Sequence, residues 1–468
     1  MATRWTEIPI DAKLFTNVDP TSNTRTLTGL ENCFVSEAGS HSRFPGLIER
    51  VNFGDSDPVY LKEYEGDLVA VTSKGRFYRI GSDYSYEDVT AVPVAGGRRP
   101  VFAETDDGMI VAAGGPIVRF SGQKTELLSE DAPKSTHVAY IDSYVVAVEL
   151  DSGRFQHADA GQIDIWDPLS VFSADGKPDD LNGLFVTPYR ELLLTGPQSI
   201  EQFERLQSGD TPFFRRWSVG EGVMAPYTLT FADNATWAVN QDREFTRYSG
   251  QTAVAGSGDV QVTLDAVDDW TDAWADRINV KGQTFVVLQM PHATTEYGTK
   301  GLTLLFDVRQ RKWGLLYGWD AAQGLPTRWP GWSHEYHRVW KKNLVGGDGK
   351  IYELTPDAYD HAGAVQRLLG RTAHVGHYEF RCDNLRLTCK RGVGTNETAP
   401  EILLRCNRDN RGFGPWKRKS LGRYGDRMMT VEFGGFGCGH HFQFEWMVTD
   451  ACEVEIRKLE WQTTPLGE

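Results

Sequence analysis

The sequence predicts an all-β protein: an irregular β-propeller of about five to seven blades, followed by a C-terminal β-sandwich. The first observation is a hairpin pattern that begins after residue 58. A short apolar run ends at a polar turn containing glycine, and a second strand-like run follows. The segment "LVAVTSKGRFYRI" at 68–80 shows the pattern most clearly, with Lys74-Gly75 at the corner of the hairpin.

The second observation is the spacing of these hairpins. Successive repeats begin 35 to 48 residues apart. A period of roughly 40 to 50 residues built from antiparallel hairpins is typical of a β-propeller, whereas an array of β-sandwiches would not return to one hairpin type. The further repeats lie at 109–120, 144–158, 192–203, 236–248 and 344–354, and a longer unit of at least three strands lies at 285–316.

The third observation is a change of pattern near residue 366. From there, four segments alternate apolar and polar residues with period two, which predicts a compact sandwich of six to eight strands. We therefore expect three parts: an N-terminal arm and corner at 1–54, the propeller at 55–365 and the sandwich at 366–468.

The charge is distributed unevenly between these parts. The chain carries a net charge of -15. Residues 366–468 contain 16 Lys and Arg against 13 Asp and Glu, whereas residues 1–365 contain 33 against 51. An acidic region of this kind is a poor candidate for tight binding of nucleic acid. It could line a path along which DNA slides, because repulsion prevents sticking.

The N-terminal segment "MATRWTEIPIDAKLF" lacks the apolar core of a secretory signal. No stretch approaches the ~18 uninterrupted apolar residues of a membrane span. From these two observations we expect a soluble protein made in the cytoplasm.

The cysteine pattern indicates buried thiols rather than a metal site. None of the six forms a C-x-x-C pair, and the possibility of disulfides stays open. Cys438, His440 and His441 carry zinc-ligating groups, but neighbouring residues on a strand point to opposite faces. We expect no metal and no cofactor. The cysteines are Cys33, Cys382, Cys389, Cys406, Cys438 and Cys452.

Motifs of the common enzyme classes are missing from the sequence. There is no G-x-S-x-G, H-E-x-x-H, phosphate-binding loop or EF-hand loop. A pair of carboxylates could support glycoside hydrolysis, although aspartate is frequent in turns for conformational reasons. The sequence therefore does not favour an enzyme. The candidate turn acids are Asp164, Asp167, Asp175, Asp179 and Asp180.

Aromatic residues are concentrated between Trp313 and Trp340. They could form a sugar-binding platform, a blade core, or a loop at 318–337 that reaches a partner, because Trp and Tyr often anchor interfaces. Trp319, Trp329 and Trp332 are the interface candidates. The full group is Trp313, Tyr317, Trp319, Trp329, Trp332, Tyr336 and Trp340.

Two further local predictions follow from residue spacing. The segment 267–278 is predicted to form one short amphipathic helix, because Trp270 and Trp274 stand four residues apart with acids on the other face. In the sandwich, four basic residues flank "SLGRYG" and are candidates for a contact with a partner, or form a solvated surface. They are Arg418, Lys419, Arg423 and Arg427.

The segment Arg43-Phe44-Pro45-Gly46 is a compact corner between polar stretches. Pro45 fixes φ and Gly46 permits a bend, so we expect a structural role with Phe44 buried where the arm joins the propeller.

The order of motifs along nearly the whole chain resembles the packaged-DNA stabilisation, or tail hub, proteins of short-tailed bacteriophages. That family has an R-x-F-P-G corner, present here with one residue fewer, and a stretch matched by Trp166 through Phe203. A blade motif is matched by Met290-Pro291, Leu305-Phe306-Asp307 and Trp313, with Phe306 in place of Tyr. The sandwich signature is matched by Asp409, Gly412, Gly422 and Gly425, with its Gly-Gly-x-Thr reduced to "RGFGPW".

The resemblance implies a virion protein without enzymatic activity. It implies that six copies form a tail hub or nozzle below the portal-adaptor ring, assembled in the host cytoplasm. This ring would narrow the DNA exit channel, retain the packaged genome until ejection, and contact a needle or plug and tail fibres or spikes. Duplex DNA would pass without sequence-specific contacts. Two alternatives stay open: a carbohydrate-binding or glycosidase-type propeller, and a monomeric propeller scaffold.

Overall fold

A computed structural model gives the architecture of the chain, and nearly all of its regular structure is β. Helix within the described residues is limited to a 3-10 turn at Gly258–Val260 and an α-helix at Gln261–Asp265. No described helix has the length and apolar character needed to cross a membrane. The structure describes residues 5–10, 15–18, 25–174, 176–177, 179–206, 212–376, 378–427 and 429–466.

Seven four-stranded antiparallel units, which we call blades 1 to 7, can be traced in the described residues. The predicted propeller is confirmed, at the upper end of the expected blade count. The first six blades follow one another along the chain. Their strands are Val59–Tyr64, Asp67–Thr72, Phe77–Ile80 and Tyr86–Asp88; Val101–Thr105, Gly108–Ala112, Val118–Phe120 and Thr125–Leu127; Val138–Ile141, Tyr144–Val148, Arg154–His157 and Val171–Ser173; Gly183–Val186, Leu192–Thr195, Ile200–Arg205 and Phe213–Val219; Val223–Ala232, Ala235–Asn240, Phe245–Ser249 and Thr252–Ala255; and Trp274–Val280, Gln283–Thr294, Lys300–Asp307 and Lys312–Leu315.

Blade 7 is built from two distant parts of the chain. Ser333–His337, Lys342–Gly346 and Lys350–Thr355 provide three strands, and Gly46–Asn52 provides the outer one. This outer strand pairs antiparallel with Lys350–Thr355. The N-terminal region therefore completes the last blade.

Apolar side chains fill the spaces between blades. Because successive residues of a strand point to opposite faces, each blade buries both faces against its neighbours. Phe77 and Phe120, for example, belong to the cluster between blades 1 and 2. Leu61 and Leu344 belong to the cluster between blades 1 and 7, which closes the ring. Seven such clusters, one for each neighbouring pair, occur among the described residues.

The turns between the first and second strands show why the local sequence forms tight hairpins. In blade 5, Asp233 and Asn234 have φ of 49° and 53°. Positive φ at both central residues gives the turn a twist that matches the flanking strands, and Asn and Asp tolerate this region well. The hairpin corners used for the prediction, such as Lys74-Gly75, lie instead between second and third strands.

A sandwich of two sheets lies beside blade 6, around one core that includes Phe442, Trp446 and Leu459. Glu31 pairs with Leu315 and thereby joins one sheet to the outer strand of blade 6. In order, one sheet contains Thr430–Gly439, Phe380–Cys389, Glu455–Pro465, His41–Arg43 and Cys33–Val35, with Thr6–Ile8 also paired to Glu455–Pro465; the other contains Leu30–Glu31, Leu368–Arg371, Phe442–Val448, Glu401–Arg408 and Lys417–Ser420. Two short hairpins, Phe15–Val18 with Arg25–Thr28 and Tyr317–Asp320 with Leu325–Arg328, complete the strands.

The separate arm expected at 1–54 is divided between the two bodies. Strands Thr6–Ile8, Cys33–Val35 and His41–Arg43 belong to the sandwich, whereas Gly46–Asn52 belongs to blade 7. The division occurs because two sheets are each completed by a strand from this region. Glu455–Pro465 of the sandwich pairs with His41–Arg43, and Lys350–Thr355 of blade 7 pairs with Gly46–Asn52.

The helix predicted at 267–278 is wrong. Trp274 begins the first strand of blade 6, and its indole Nε1 donates to Gln289 Oε1 at 2.8 Å. The four-residue spacing of Trp270 and Trp274 thus reflects a turn followed by a strand. Packing between blades overrides the local helical pattern.

The outer strand of the second sandwich sheet, Lys417–Ser420, carries lysines on its core side. Lys417 pairs with Leu404 and Lys419 with Ile402, and both of these apolar partners are buried. Paired residues lie on the same face of a sheet. The Lys417 amine donates to the carbonyl of Gly435 at 2.8 Å, so it closes the edge of the core.

Candidate functional site

The corner at Arg43-Phe44-Pro45-Gly46 lies where the chain leaves the sandwich and enters blade 7. Phe44 is fully buried in the cluster between blades 6 and 7. Its ring stands edge-on to that of Phe285, with centroids 6.4 Å apart. The amide of Gln366 donates to the carbonyls of Phe44 and Pro45 at 3.0 and 3.3 Å.

Arg43 connects the two bodies through backbone carbonyls. Its guanidinium donates to the carbonyl oxygens of Tyr359 at 2.9 Å, Asp450 at 2.8 Å and Val448 at 3.2 Å. Tyr359 follows blade 7, and the other two residues belong to the sandwich. Burial lowers the pKa of Arg43 from its ordinary value. The guanidinium therefore ties three chain segments at one buried point.

Gly46 is required by close backbone packing. A Cβ at this position would lie 2.3 Å from the carbonyl oxygen of Asp360 and 2.8 Å from the carbonyl carbon of Ala358. Its own N–H donates to the Ala358 carbonyl at 2.9 Å. No larger residue fits without displacement of the backbone.

The aromatic interface candidates have different environments. Trp329 is fully buried between blades 6 and 7. Trp332 is half-buried, and its indole N–H donates to Asp348 Oδ1 at 2.5 Å while Arg328 lies 4.1 Å from its ring centroid. Trp319 is half-buried beside Arg367. Only Trp319 and Trp332 thus present any surface to a partner.

The basic interface candidates Arg418, Lys419, Arg423 and Arg427 are all exposed. Arg418 has 70% of its side chain exposed, and its nearest carboxylate is Glu401 at 3.9 Å. Apolar surface lies beside them, since Tyr424 and Met429 are 77% and 49% exposed. Arg together with Tyr and Met is a composition enriched at interfaces.

The candidate turn acids do not converge. Asp164 and Asp167 follow the third strand of blade 3, whereas Asp179 and Asp180 precede the first strand of blade 4, at the opposite end of the blade. Asp167 Oδ1 accepts the N–H of Leu169 at 2.9 Å and Asp179 Oδ2 that of Gln198 at 2.7 Å. These are turn contacts. Asp175 lies outside the described residues.

All six cysteines are free, and the prediction of buried thiols holds for four of them: Cys33, Cys382, Cys389 and Cys452. Cys406 is partly exposed, and for Cys438 the prediction is wrong, since it is exposed at the end of an outer strand. Burial raises the pKa of the Cys33 thiol. Backbone N–H groups of His440 and His441 donate to Asp409 Oδ1 at 2.8 and 3.0 Å. Among the described residues, no group of three or more His, Cys, Asp or Glu side chains could hold a metal ion.

A cavity of about 520 Å³ lies on the axis of the propeller. Every blade contributes its first strand to the wall, which places this cavity at the centre of the ring. Arg99, just before the first strand of blade 2, is the most constrained of its charged groups. The other polar and aromatic wall residues include Tyr60, Lys62, His137, Tyr140, Tyr227, Asp276, His334 and Glu335.

The Arg99 guanidinium is held between two aromatic rings. It lies 4.9 Å from the ring centroid of Tyr60 and 4.8 Å from that of Trp274. Its Nη1 donates to the carbonyl of Trp332 at 2.6 Å. It forms no ion pair with a described carboxylate, and burial lowers its pKa.

Two acid–base pairs line the same cavity. Lys62 Nζ lies 3.2 Å from Glu335 Oε1, and His334 Nδ1 lies 4.0 Å from Asp276 Oδ2. The other ring nitrogen of His334 bonds to Asn343 Oδ1 at 3.0 Å. Burial raises the pKa of both Asp276 and Glu335. The cavity therefore offers both a cation and hydrogen-bond acceptors.

A second cavity of about 560 Å³ continues at the end where the first strands begin. Tyr227 lines both cavities and stacks on His137, with centroids 5.0 Å apart. Burial raises the pKa of Tyr227 to about 12 and lowers that of His137 to about 4. The outer cavity is acidic, with Arg98 beside Asp151, Asp180, Asp268, Asp269 and Asp272.

A family model described as bacteriophage P22 Gp10, beta-propeller (Phage_stabilise) matches residues 62–357. The chain belongs to this family. The match begins within the first strand of blade 1, Val59–Tyr64, and covers all later blade strands, whereas Gly46–Asn52 precedes it. The resemblance to phage tail and stabilisation proteins is confirmed. No curated protein matches the chain.

Solved structures match this Gp10-family chain at low sequence identity. A streptogramin B lyase has a TM-score of 0.44 and 11% identity, with 66% of this chain and 97% of that chain covered. The extracellular domain of the one component system protein BT4673 from B. thetaiotaomicron has a TM-score of 0.43 and 10% identity, covering 87% and 58%.

Sequence reasoning found the corner of this Gp10-family chain but missed the axial cavity. Its wall residues come from seven strands between Tyr60 and Glu335, and no local motif joins them. A weak signal existed in Arg98-Arg99-Pro100, a basic pair placed just before an apolar strand.

Proposed function

We propose that this protein is a structural component of a short-tailed phage virion: a tail hub or nozzle that retains the packaged genome until ejection. The observation that carries the proposal is the family match across the propeller.

In this proposal, copies of the chain form a closed ring, a hexamer, below the portal-adaptor ring. The ring narrows the DNA exit channel and contacts a needle or plug and tail fibres or spikes. The exposed group of Arg418, Lys419, Arg423 and Arg427 provides part of the contact with neighbouring rings. Support comes from their exposure beside Tyr424 and Met429.

Duplex DNA passes through this ring without sticking. Residues 1–365 contain 33 Lys and Arg against 51 Asp and Glu, so the propeller surface repels phosphates. Charges act only over ~8–10 Å at physiological salt, and only those that line a narrow channel affect the DNA.

Particle assembly with and without the protein tests the role directly. Heads filled with DNA and completed with the protein should protect their genome from nuclease, whereas heads that lack it should release DNA. Equal nuclease resistance of the two particle types would refute the retention role. Mass photometry of the purified protein should give six times the 52.4 kDa subunit mass, and its adaptor complex that mass plus the mass of the adaptor ring.

A DNA-binding assay tests the sliding mechanism separately. At ~50 mM salt, the isolated protein should bind duplex DNA weakly, because few phosphates can be neutralised. Tight binding with a steep salt dependence would contradict sliding while leaving the retention role intact.

A further inference from the structure

We propose that the axial cavity of the propeller binds a small hydroxylated carboxylate, of the sugar-acid class, with its carboxylate on Arg99. This site is independent of the tail role, since it is enclosed by the seven first strands of one subunit. The cavity of about 520 Å³ falls within the ~300–1,000 Å³ range of small-molecule sites.

Arg99 has the properties of a prepared anion receptor. The rings of Tyr60 and Trp274 and the carbonyl of Trp332 fix the guanidinium plane, so little side-chain entropy is lost when an anion binds. Only one of its N–H groups has a hydrogen-bond partner among the described residues. A planar fork of free donors matches a carboxylate, which can accept two parallel hydrogen bonds.

Other groups of the wall accept hydrogen bonds. Asp276 Oδ1 accepts the N–H of Arg277 at 2.8 Å, while Oδ2 faces His334 at 4.0 Å, beyond hydrogen-bond distance. The carboxylate of Glu335 forms an ion pair with Lys62. These carboxylates repel a simple anion but accept hydrogen bonds from the hydroxyl groups of a ligand. An inorganic anion can therefore accept hydrogen bonds from Arg99 only. A sugar acid can also donate hydrogen bonds from its hydroxyl groups to the acceptor groups of the wall.

Aromatic rings provide the remaining wall. Phe102, Phe185, Phe231, Tyr60 and Tyr227 all line the cavity. Apolar and aromatic walls with a few placed polar groups are the usual composition of sites that bind small organic molecules. They favour a ligand with a carbon ring over a bare ion.

Binding of sodium glucuronate to the full-length protein tests the proposal, with glucose and inorganic phosphate as matched probes. Calorimetry and saturation-transfer NMR should show saturable binding of glucuronate, at least about tenfold tighter than either probe. No saturable signal from glucuronate up to about 10 mM would overturn the proposal. Equal affinity for phosphate would overturn the sugar-acid assignment, because the acceptor wall would then contribute nothing.

Variants locate the bound ligand. Arg99→Gln should weaken glucuronate binding at least about tenfold, and Asp276→Asn severalfold. Arg119→Gln, which removes a surface ion pair with Asp107, should bind as the parent protein does. If Arg99→Gln fails to fold, Asp276→Asn and the comparison of the three probes test the site instead. Asp276→Asn should fold, because Asp276 makes no ion pair closer than 4.0 Å. Unchanged binding in both cavity variants would place the ligand elsewhere and refute the site.

Discussion

The propeller divides its apolar side chains among clusters between neighbouring blades, whereas the sandwich collects them in one core between two sheets. The first six blades of the propeller follow one another along the chain. The sandwich core instead packs Ile8, Leu30 and Cys33 against residues more than three hundred positions away. The comparison shows that a domain of repeated hairpins, such as the propeller, can be predicted from local sequence pattern. A domain assembled from distant segments, such as the sandwich, cannot be predicted in this way.

The two bodies nevertheless depend on the same short segment. Residues 41–43 pair in the sandwich, and residues 46–52 complete blade 7. The corner between them contains two buried side chains and a glycine that admits no Cβ. A change at the corner should therefore affect both bodies, and a change elsewhere only one.

The largest effect is expected for Phe44→Ala. Loss of a fully buried phenylalanine between blades 6 and 7 should lower the free energy of unfolding by about 3–5 kcal/mol. Denaturant unfolding measures the change. Phe214→Ala is the matched control, since Phe214 is 38% exposed and its loss should cost less than about 1 kcal/mol. Identical midpoints for Phe44→Ala and the parent would show that the corner does not anchor the ring.

Arg43→Leu should have the next largest effect. It removes the donors to three backbone carbonyls at the joint, of which that of Val448 is buried, and an unsatisfied buried group costs about 1–3 kcal/mol. If the joint couples the bodies, both should melt earlier in calorimetry. Arg154→Leu, at a half-exposed ion pair in blade 3, should leave both transitions unchanged. A lower melting temperature for only one of the two bodies would show that Arg43 does not couple the propeller to the sandwich.

Acid should destabilise the sandwich through His41. Burial against Trp446 lowers the pKa of His41 to about 4, below the ~6.5 of an unfolded chain. The unfolded state therefore binds the proton more readily, and stability present above pH ~6.5 is lost as the pH falls toward 4.

The expected loss is on the order of 3 kcal/mol for this one side chain. His41→Leu should reduce the change in the free energy of unfolding between pH 6.5 and 4, measured by urea denaturation, by that amount. His292→Leu, at an exposed histidine, should leave that change as it is in the parent protein. Parallel pH curves for His41→Leu and the parent would contradict the assignment.

The smallest effect on folding is expected for reversal of the four exposed basic residues. Arg418→Glu, Lys419→Glu, Arg423→Glu and Arg427→Glu together should shift the free energy of unfolding by less than about 1 kcal/mol, because exposed charges contribute little. Assembly with the adaptor ring should nevertheless be lost. Unchanged ring assembly, measured by mass photometry, would remove these residues from the interface.

The propeller could be predicted because its hairpins have strong local signals. Glycine turns such as Lys74-Gly75, with alternating apolar runs on both sides, specify a hairpin without distant information. The helix at 267–278 was predicted wrongly from the spacing of Trp270 and Trp274, which a strand of blade 6 explains.

The long-range features could not be predicted from pattern. Nothing local indicates that Cys33–Val35 joins a C-terminal sheet or that Gly46–Asn52 joins the last blade. Both pairings depend on open sheet edges that exist only after folding. The cavity around Arg99 is equally non-local, because its wall consists of one short segment from each blade.

The lysines of the strand Lys417–Ser420 have a consequence for how copies of the chain can polymerise. An open strand edge is a template for further strands, and uncontrolled growth from it leads to amyloid-like aggregates. Lys417 lies on the core side of this edge, where its amine donates to the carbonyl of Gly435, so an added strand would bury its charge. Copies of the chain can therefore meet at this edge without fusing their sheets.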